Sequence, residues 1–134
     1  MIVLDTSVLS LVYRRRSRPA TSPAVLRFVE LVKRDAPLAI PGVVLQELLS
    51  GVRTEAQLRR LDDLLGGFPL LLANRQTHVR AAEIRNLCRA RGVAVATVDC
   101  LIASHALQAD AELMTLDADF ARIARHTRLR LFEI

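Results

Sequence analysis

The chain has 134 residues, of which 51% are hydrophobic and 25% charged, so a single packed domain over 1–134 is expected and a disordered polyelectrolyte is excluded. The net charge is +5, and Lys33 is the only lysine, so arginine carries nearly all the positive charge. Arginine grips phosphate bidentately, which admits a nucleic-acid partner, although the same enrichment arises from genome composition alone. Cys88 and Cys100 have neither metal-ligand spacing nor a disulfide framework, which predicts buried free thiols and a cytoplasmic location. No apolar stretch reaches membrane-spanning length, and Asp5 interrupts the first apolar run where a signal peptide would continue it.

Ile2, Val3 and Leu4 form an unbroken apolar run, the pattern of a short strand covered on both faces. Asp5 ends that run, and a helical pattern follows to about Tyr13. An acid in that place suits a helix N-cap, and it equally suits a ligand site, because open parallel sheets bind ligands at the carboxyl ends of their strands. Tyr13 opens a basic turn, Arg14-Arg15-Arg16-Ser17-Arg18-Pro19, which reads as a solvated loop or as a surface for an RNA backbone with the Tyr ring as a stacking platform. Ser22-Pro23 predicts an N-cap with Pro at the first helical position, and Val25, Phe28, Val29 and Val32 form the expected apolar stripe.

Leu38-Ala39-Ile40 predicts a second strand, and a helix follows from about Val43 to Val52 with Val44, Leu45, Leu48, Leu49 and Val52 inward. Glu47 lies off that stripe, as an ordinary exposed glutamate or as one leaning over the strand ends. Thr54 and Gln57 have capping-box spacing, ahead of a helix with Leu58, Leu61 and Leu65 inward. Phe68 to Leu72 predicts a third strand. Arg75 to Arg91 predicts a long helix with Ala81, Ile84, Leu87 and Cys88 inward, closed by Gly92.

In the next helix Asp99, Ile102, Ala103 and Ala106 fall at i, i+3, i+4 and i+7, which puts Asp99 in line with an apolar stripe. An unpaired buried carboxylate costs several kcal/mol, so Asp99 must be protonated, paired, hydrogen-bonded or bound to a cation. His105 points off that face and reads as a residue that packs or faces water rather than as a ligand. Glu112 to Leu116 predicts a fourth strand, with Asp117 past its end and Asp119 placed to cap a short helix through Ile123. Leu129 to Phe132 closes the chain as a last strand.

Alternating strands and helices predict an α/β fold, a three-layer sandwich around a central parallel sheet. That fold makes Asp5, Glu47, Asp99 and Asp117 plausible neighbours. Clustered carboxylates repel unless positive charge sits among them, and an all-oxygen donor set suits Mg²⁺ or Mn²⁺. Such an ion serves phosphodiester hydrolysis by activating water.

Asp5-Thr6-Ser7, Glu47, Asp99 with Ile102, Ala103 and Ala106, and Thr115 through Phe120 together resemble the PIN domain, and most closely its VapC type of bacterial toxin. The resemblance spans nearly the whole chain. It implies an Mg²⁺-dependent endoribonuclease, homodimeric and held inactive by a cognate antitoxin protein. It assigns Asp5, Glu47, Asp99 and Asp117 to catalysis and metal binding, Thr6 and Thr115 as hydroxyl helpers, and Asp119 as an outer member. A PIN-type nuclease of housekeeping RNA maturation and a non-catalytic RNA-binding module are the competing functions. A phosphatase with an aspartyl nucleophile is disfavoured, because its second acid would stand where Ser7 does.

Overall fold

A computed structural model describes residues 1–13 and 22–134. Its strands are β1 (Ile2–Leu4), β2 (Leu38–Pro41), β3 (Leu70–Leu71), β4 (Glu112–Met114) and β5 (Arg130–Leu131). The helices are α1 (Thr6–Tyr13), α2 (Pro23–Lys33), α3 (Gly42–Leu49), α4 (Glu55–Leu65), α5 (Arg75–Ala90), α6 (Thr97–Gln108) and α7 (Asp119–Ala124). All strand pairs are parallel, in the order β3-β2-β1-β4-β5. Successive residues of a strand face opposite ways, yet Ile2, Val3 and Leu4 are all buried. Both faces of the sheet are therefore covered, which is the predicted three-layer sandwich.

The strand order has a functional consequence. From β1 the chain moves outward through β2 to β3, then returns to the other side of β1 for β4 and β5. The switch point of the sheet lies between β1 and β4, and a crevice opens there at the carboxyl ends of the strands. Leu4 pairs with Met114, and the Asp5 amide donates to the Met114 carbonyl at 3.0 Å. Asp5 and Thr115, far apart in sequence, are thereby set side by side at that crevice.

α6 is the helix that closes the sandwich over the crevice. It packs on β1, β4, α3, α5 and α7, and six of its residues from Cys100 to Ala106 are buried. Its small side chains Ala103 and Ala106, both fully buried, allow that close approach. His105 is also buried, so of the two expectations it packs rather than faces water, and its pKa is lowered by burial and by His78. Ser104 in the same helix donates to the Thr77 carbonyl at 2.8 Å and so ties α6 to α5. Both cysteines are buried free thiols, and burial pushes Cys100 up to about 11, so it stays neutral near neutral pH.

Several sequence expectations need correction. In α2 the buried face is Ala24, Val25, Phe28 and Leu31, while Val29 and Val32 are exposed, because the stripe winds one residue toward Leu31. Leu58 and Leu87 are at the surface, on the outer flanks of α4 and α5. β3, β4 and β5 are shorter than expected, whereas β1 and β2 cover their apolar runs, and α3 ends at Leu49, short of Val52. Thr54 does cap α4 by accepting from the Gln57 amide. The full reciprocal capping box instead belongs to Asn74 and Thr77 at the start of α5, where the residue types are less diagnostic.

Candidate metal centre

Asp5 is buried at the end of β1, and its carboxylate is held by hydroxyls rather than by helix amides. Ser7 Oγ donates to Asp5 Oδ2 at 2.8 Å, and Thr115 Oγ1 donates to the same oxygen at 2.7 Å. Each hydroxyl has one proton, so the 3.3 Å approach of the two hydroxyl oxygens is a contact rather than a third bond. Both donors use Oδ2, which leaves Oδ1 without a hydrogen bond among the described residues. The two hydroxyls are fixed in turn: Ser7 Oγ accepts from the Leu116 amide at 2.9 Å and Thr115 Oγ1 from the Asp117 amide at 3.0 Å. One lattice of hydrogen bonds thus joins the ends of β1 and β4.

Glu47 comes from α3, on the far side of β1, and is exposed. Thr6 Oγ1 donates to Glu47 Oε1 at 2.7 Å and holds the carboxylate toward the start of α1. Past β4 the chain turns through Asp117, whose Oδ1 accepts from the Asp119 amide at 2.9 Å. This reverses the expected capping: Asp119 is the first residue of α7, and Asp117 is the side chain that satisfies its free amide. Carboxylate oxygens of Asp99, Asp117 and Asp119 lie within 4.8 Å of one another.

Asp99, in the first turn of α6, is where the acids meet electrostatically. Its pKa is raised from 3.8 to about 6, first by burial and then by the charges of Asp117, Asp5, Asp119 and Glu47, in that order. Every acid singled out in the sequence therefore acts on this one carboxylate. Asp119, expected as an outer member, stands in the tight trio with Asp99 and Asp117. It also carries a contact that the sequence signals only by i,i+3 spacing, an ion pair with Arg122 at 3.5 Å. Ser7 is a further participant beyond the residues expected; its place two residues after Asp5, on the turn into α1, is the signal.

The donor set fits a hard cation. It consists of carboxylate oxygens without His or Cys, and its mutual repulsion is the kind that a divalent ion relieves. The half-buried Tyr13 ring packs edge-on against Phe28, with centroids 6.0 Å apart. Arg14, Arg15, Arg16 and Arg18 lie outside the described residues.

If the hydroxyl lattice positions Asp5, its removal has a measurable cost. Ser7→Ala or Thr115→Val should each lower stability by about 1.5–3 kcal/mol, the range for hydrogen bonds to a charged group. Urea unfolding of each variant would measure it. A loss below a few tenths of a kcal/mol would mean that water replaces the hydroxyl and that the lattice is not structural.

A three-layer sandwich with an acid crevice at its switch point defines a class, and comparison with known families identifies it: a family model described as the PIN domain matches residues 2–126. The chain belongs to the PIN-domain family. It is 33% identical over 133 residues to ribonuclease VapC11 of Mycobacterium tuberculosis and, to the same degree, to a VapC ribonuclease of Mycobacterium bovis, covering 97% of this chain and 96% of each relative. Among solved structures it is similar to VapBC2 from Rickettsia felis bound to a promoter DNA fragment, with TM-score 0.76, 26% identity and 98% of both chains covered. It shares its fold with VapBC-1 from nontypeable Haemophilus influenzae at TM-score 0.78 and 24% identity, covering 99% of this chain and 98% of that one.

Proposed function

We propose that this chain is a Mg²⁺-dependent endoribonuclease, the toxin of a toxin–antitoxin pair acting in the cytoplasm. The observation that carries the reading is the convergence on Asp99 of four other acids from β1, α3 and the β4–α7 turn. The full-length likeness to VapC ribonucleases supports RNA as the substrate. In this reading Asp5, Asp99 and Asp117 hold the ion, Glu47 completes the set, and Asp119 joins it through the trio with Asp99 and Asp117. Mg²⁺, or Mn²⁺ in its place, supplies a bound water of lowered pKa and neutralises charge on the phosphate. Ser7 and Thr115 fix the Asp5 carboxylate so that Oδ1 is the oxygen presented. Thr6 restrains Glu47 by its hydrogen bond to Oε1.

Association with an antitoxin and with a second copy is part of the same proposal. Leu26 on α2, Leu64 on α4 and Leu72 beside β3 are 54%, 53% and 76% exposed, apolar surface suited to protein contacts. The similar Rickettsia felis structure holds VapBC2 rather than a VapC chain by itself, which supports an antitoxin partner here.

The test is direct. Purified protein incubated with total RNA should cut it in Mg²⁺ or Mn²⁺ and not in EDTA, and Mg²⁺ should raise its melting temperature. Cleavage undiminished by EDTA would overturn the metal reading. RNA binding without cleavage in any divalent metal would favour the non-catalytic module instead. A nuclease active on one precursor RNA, with no small adjacent gene whose product silences it, would favour RNA maturation.

A further inference from the structure

At the end of the molecule away from the acid crevice lies a second, oppositely charged site. A cavity of about 320 Å³ opens between α5, the last turns of α6 and the connection from α7 to β5. Arg80, Arg128 and His126 line it together with Glu83, and Leu87 and Leu107 form an apolar wall. Leu107 is eight residues along α6 from Asp99, about 12 Å at the helical rise, so this cavity is separate from the candidate metal centre.

Two observations point to a ligand. First, Arg80 Nε is the one buried side-chain nitrogen or oxygen among the described residues that has no hydrogen-bond partner. A buried N–H left unmade is unfavourable, and buried polar groups in native proteins are nearly always satisfied. Second, the basic side chains here have no carboxylate partner among the described residues. Five arginines elsewhere in the fold have carboxylate partners: Arg27, Arg34, Arg59, Arg122 and Arg130. Among the described residues no ion pair involves Arg80, Arg128 or His126, although Glu83 stands on the same wall. Thr127 adds nothing, since its hydroxyl donates to the Ile123 carbonyl and accepts from the Leu129 amide.

We propose that this cavity is an oxyanion site for a phosphate group, in which the Nε edge of the Arg80 guanidinium is the principal donor and Arg128 and His126 close around the remaining oxygens. A guanidinium offers Nε–H and one Nη–H as a parallel pair, and a phosphate presents two oxygens at the matching spacing. A tetrahedral anion has further oxygens for the other two side chains, whereas one fork already satisfies a carboxylate. The apolar wall, where Leu87 is 38% exposed, suits the base or sugar of a nucleotide. Inorganic phosphate, a mononucleotide and an RNA strand share the chemistry, and titration separates them.

The experiment is a titration in EDTA, which leaves the metal centre out of play, followed by NMR of the Arg Nε–H and His imidazole signals at constant ionic strength. Inorganic phosphate, 5′-AMP and a short single-stranded RNA are the three probes. The expected result is a saturable shift of the Arg80 Nε–H and His126 signals, with the Asp99 amide unmoved. Arg80→Lys keeps the charge but lacks the fork, and should weaken the affinity at least tenfold while its melting temperature stays near wild type. If Arg80→Lys misfolds, Arg128→Met serves in its place, because that side chain is exposed. Tighter binding of RNA than of phosphate assigns the site to a strand, and equal binding assigns it to the free anion. A shift that does not saturate with any probe, or that is unchanged in both variants, overturns the proposal. Failure here leaves the nuclease reading untouched, since that reading is tested by Mg²⁺-dependent cleavage.

Discussion

Asp99→Asn is expected to abolish RNA cleavage and, at the same time, to make the metal-free protein more stable at neutral pH. The two effects share one cause. Asn has the shape of Asp without its charge, so α6 keeps its packing while the centre of the acid cluster is neutralised. The activity loss should reach at least about 100-fold, a scale already seen when only an outer support of a metal site is lost. The stability gain follows from the raised pKa. Folding lifts Asp99 from 3.8 to about 6, so the folded state holds the proton more tightly than the unfolded chain. Well below pH 3.8 the group is protonated in both states and contributes no penalty. As pH rises from about 4 to about 6 the unfolded chain releases its proton first, and the penalty on the folded state grows. Above about 6 it is complete. Asp99 is partly solvated, so screening reduces the full linkage value to about 1 kcal/mol.

The measurement is urea unfolding in EDTA at pH 7.5 and pH 4 for wild type and variant, with cleavage assayed in Mg²⁺. The variant should be the more stable protein at pH 7.5 and lose most of that advantage at pH 4, and Mg²⁺ should stabilise it far less than wild type. Wild-type cleavage by Asp99→Asn, or a metal-free variant no more stable at pH 7.5, would remove the electrostatic basis of the proposed centre.

Asp5, Asp99 and Asp117 stood out in the sequence because each interrupts or follows an apolar pattern, whereas Glu47 did not. Asp5 ends an apolar run, Asp99 stands in line with Ile102, Ala103 and Ala106, and Asp117 follows β4. Such exceptions are informative because an unpaired buried charge is too costly to arise without compensation. What compensates it was less legible. The family resemblance names Thr115 as a hydroxyl helper, but local pattern marks neither it nor Ser7 until the parallel pairing of β1 with β4 brings both hydroxyls to Asp5. That register depends on strand order, which local periodicity does not encode. The exchange of capping roles between Asp117 and Asp119 has a similar origin. Either spacing allows a cap, and only the backbone of the turn decides which amide is left free.

Burial on single helix faces was legible to within a residue and no better. In α2 the alternatives Val29, Leu31 and Val32 are all apolar, so composition gives no preference, and the packing of Phe28 against Tyr13 and Phe68 sets the rotation of the helix. The Arg80 cavity was invisible for a different reason. Arginine is abundant in this chain, and nothing in the sequence marks which guanidinium is left buried without a partner.

Phe120→Ala should be the most destabilising single truncation near the site, and it tests whether the core holds the acids in place. Phe120 is completely buried and follows Asp119 directly in the first turn of α7. Truncating a buried Phe typically costs about 3–5 kcal/mol, set against a total stability of about 5–15 kcal/mol for a domain. The loss has two parts: transfer of the ring to water in the unfolded chain, and the cavity left where α7 meets the sheet. α7 has six residues and too few internal hydrogen bonds to persist alone, so its first turn depends on that anchor. Phe120→Leu, which keeps most of the apolar bulk, should cost about 1 kcal/mol and retain Mg²⁺ stabilisation. Phe120→Ala, studied below its melting temperature, should retain less of it, because Asp119 then moves relative to Asp99 and Asp117. Equilibrium urea unfolding of the three proteins, with and without Mg²⁺, separates the outcomes. A cost under about 1 kcal/mol for the alanine variant would show that the site relaxes around the cavity. An undiminished Mg²⁺ effect would show that α7 is not what holds Asp119 in the trio.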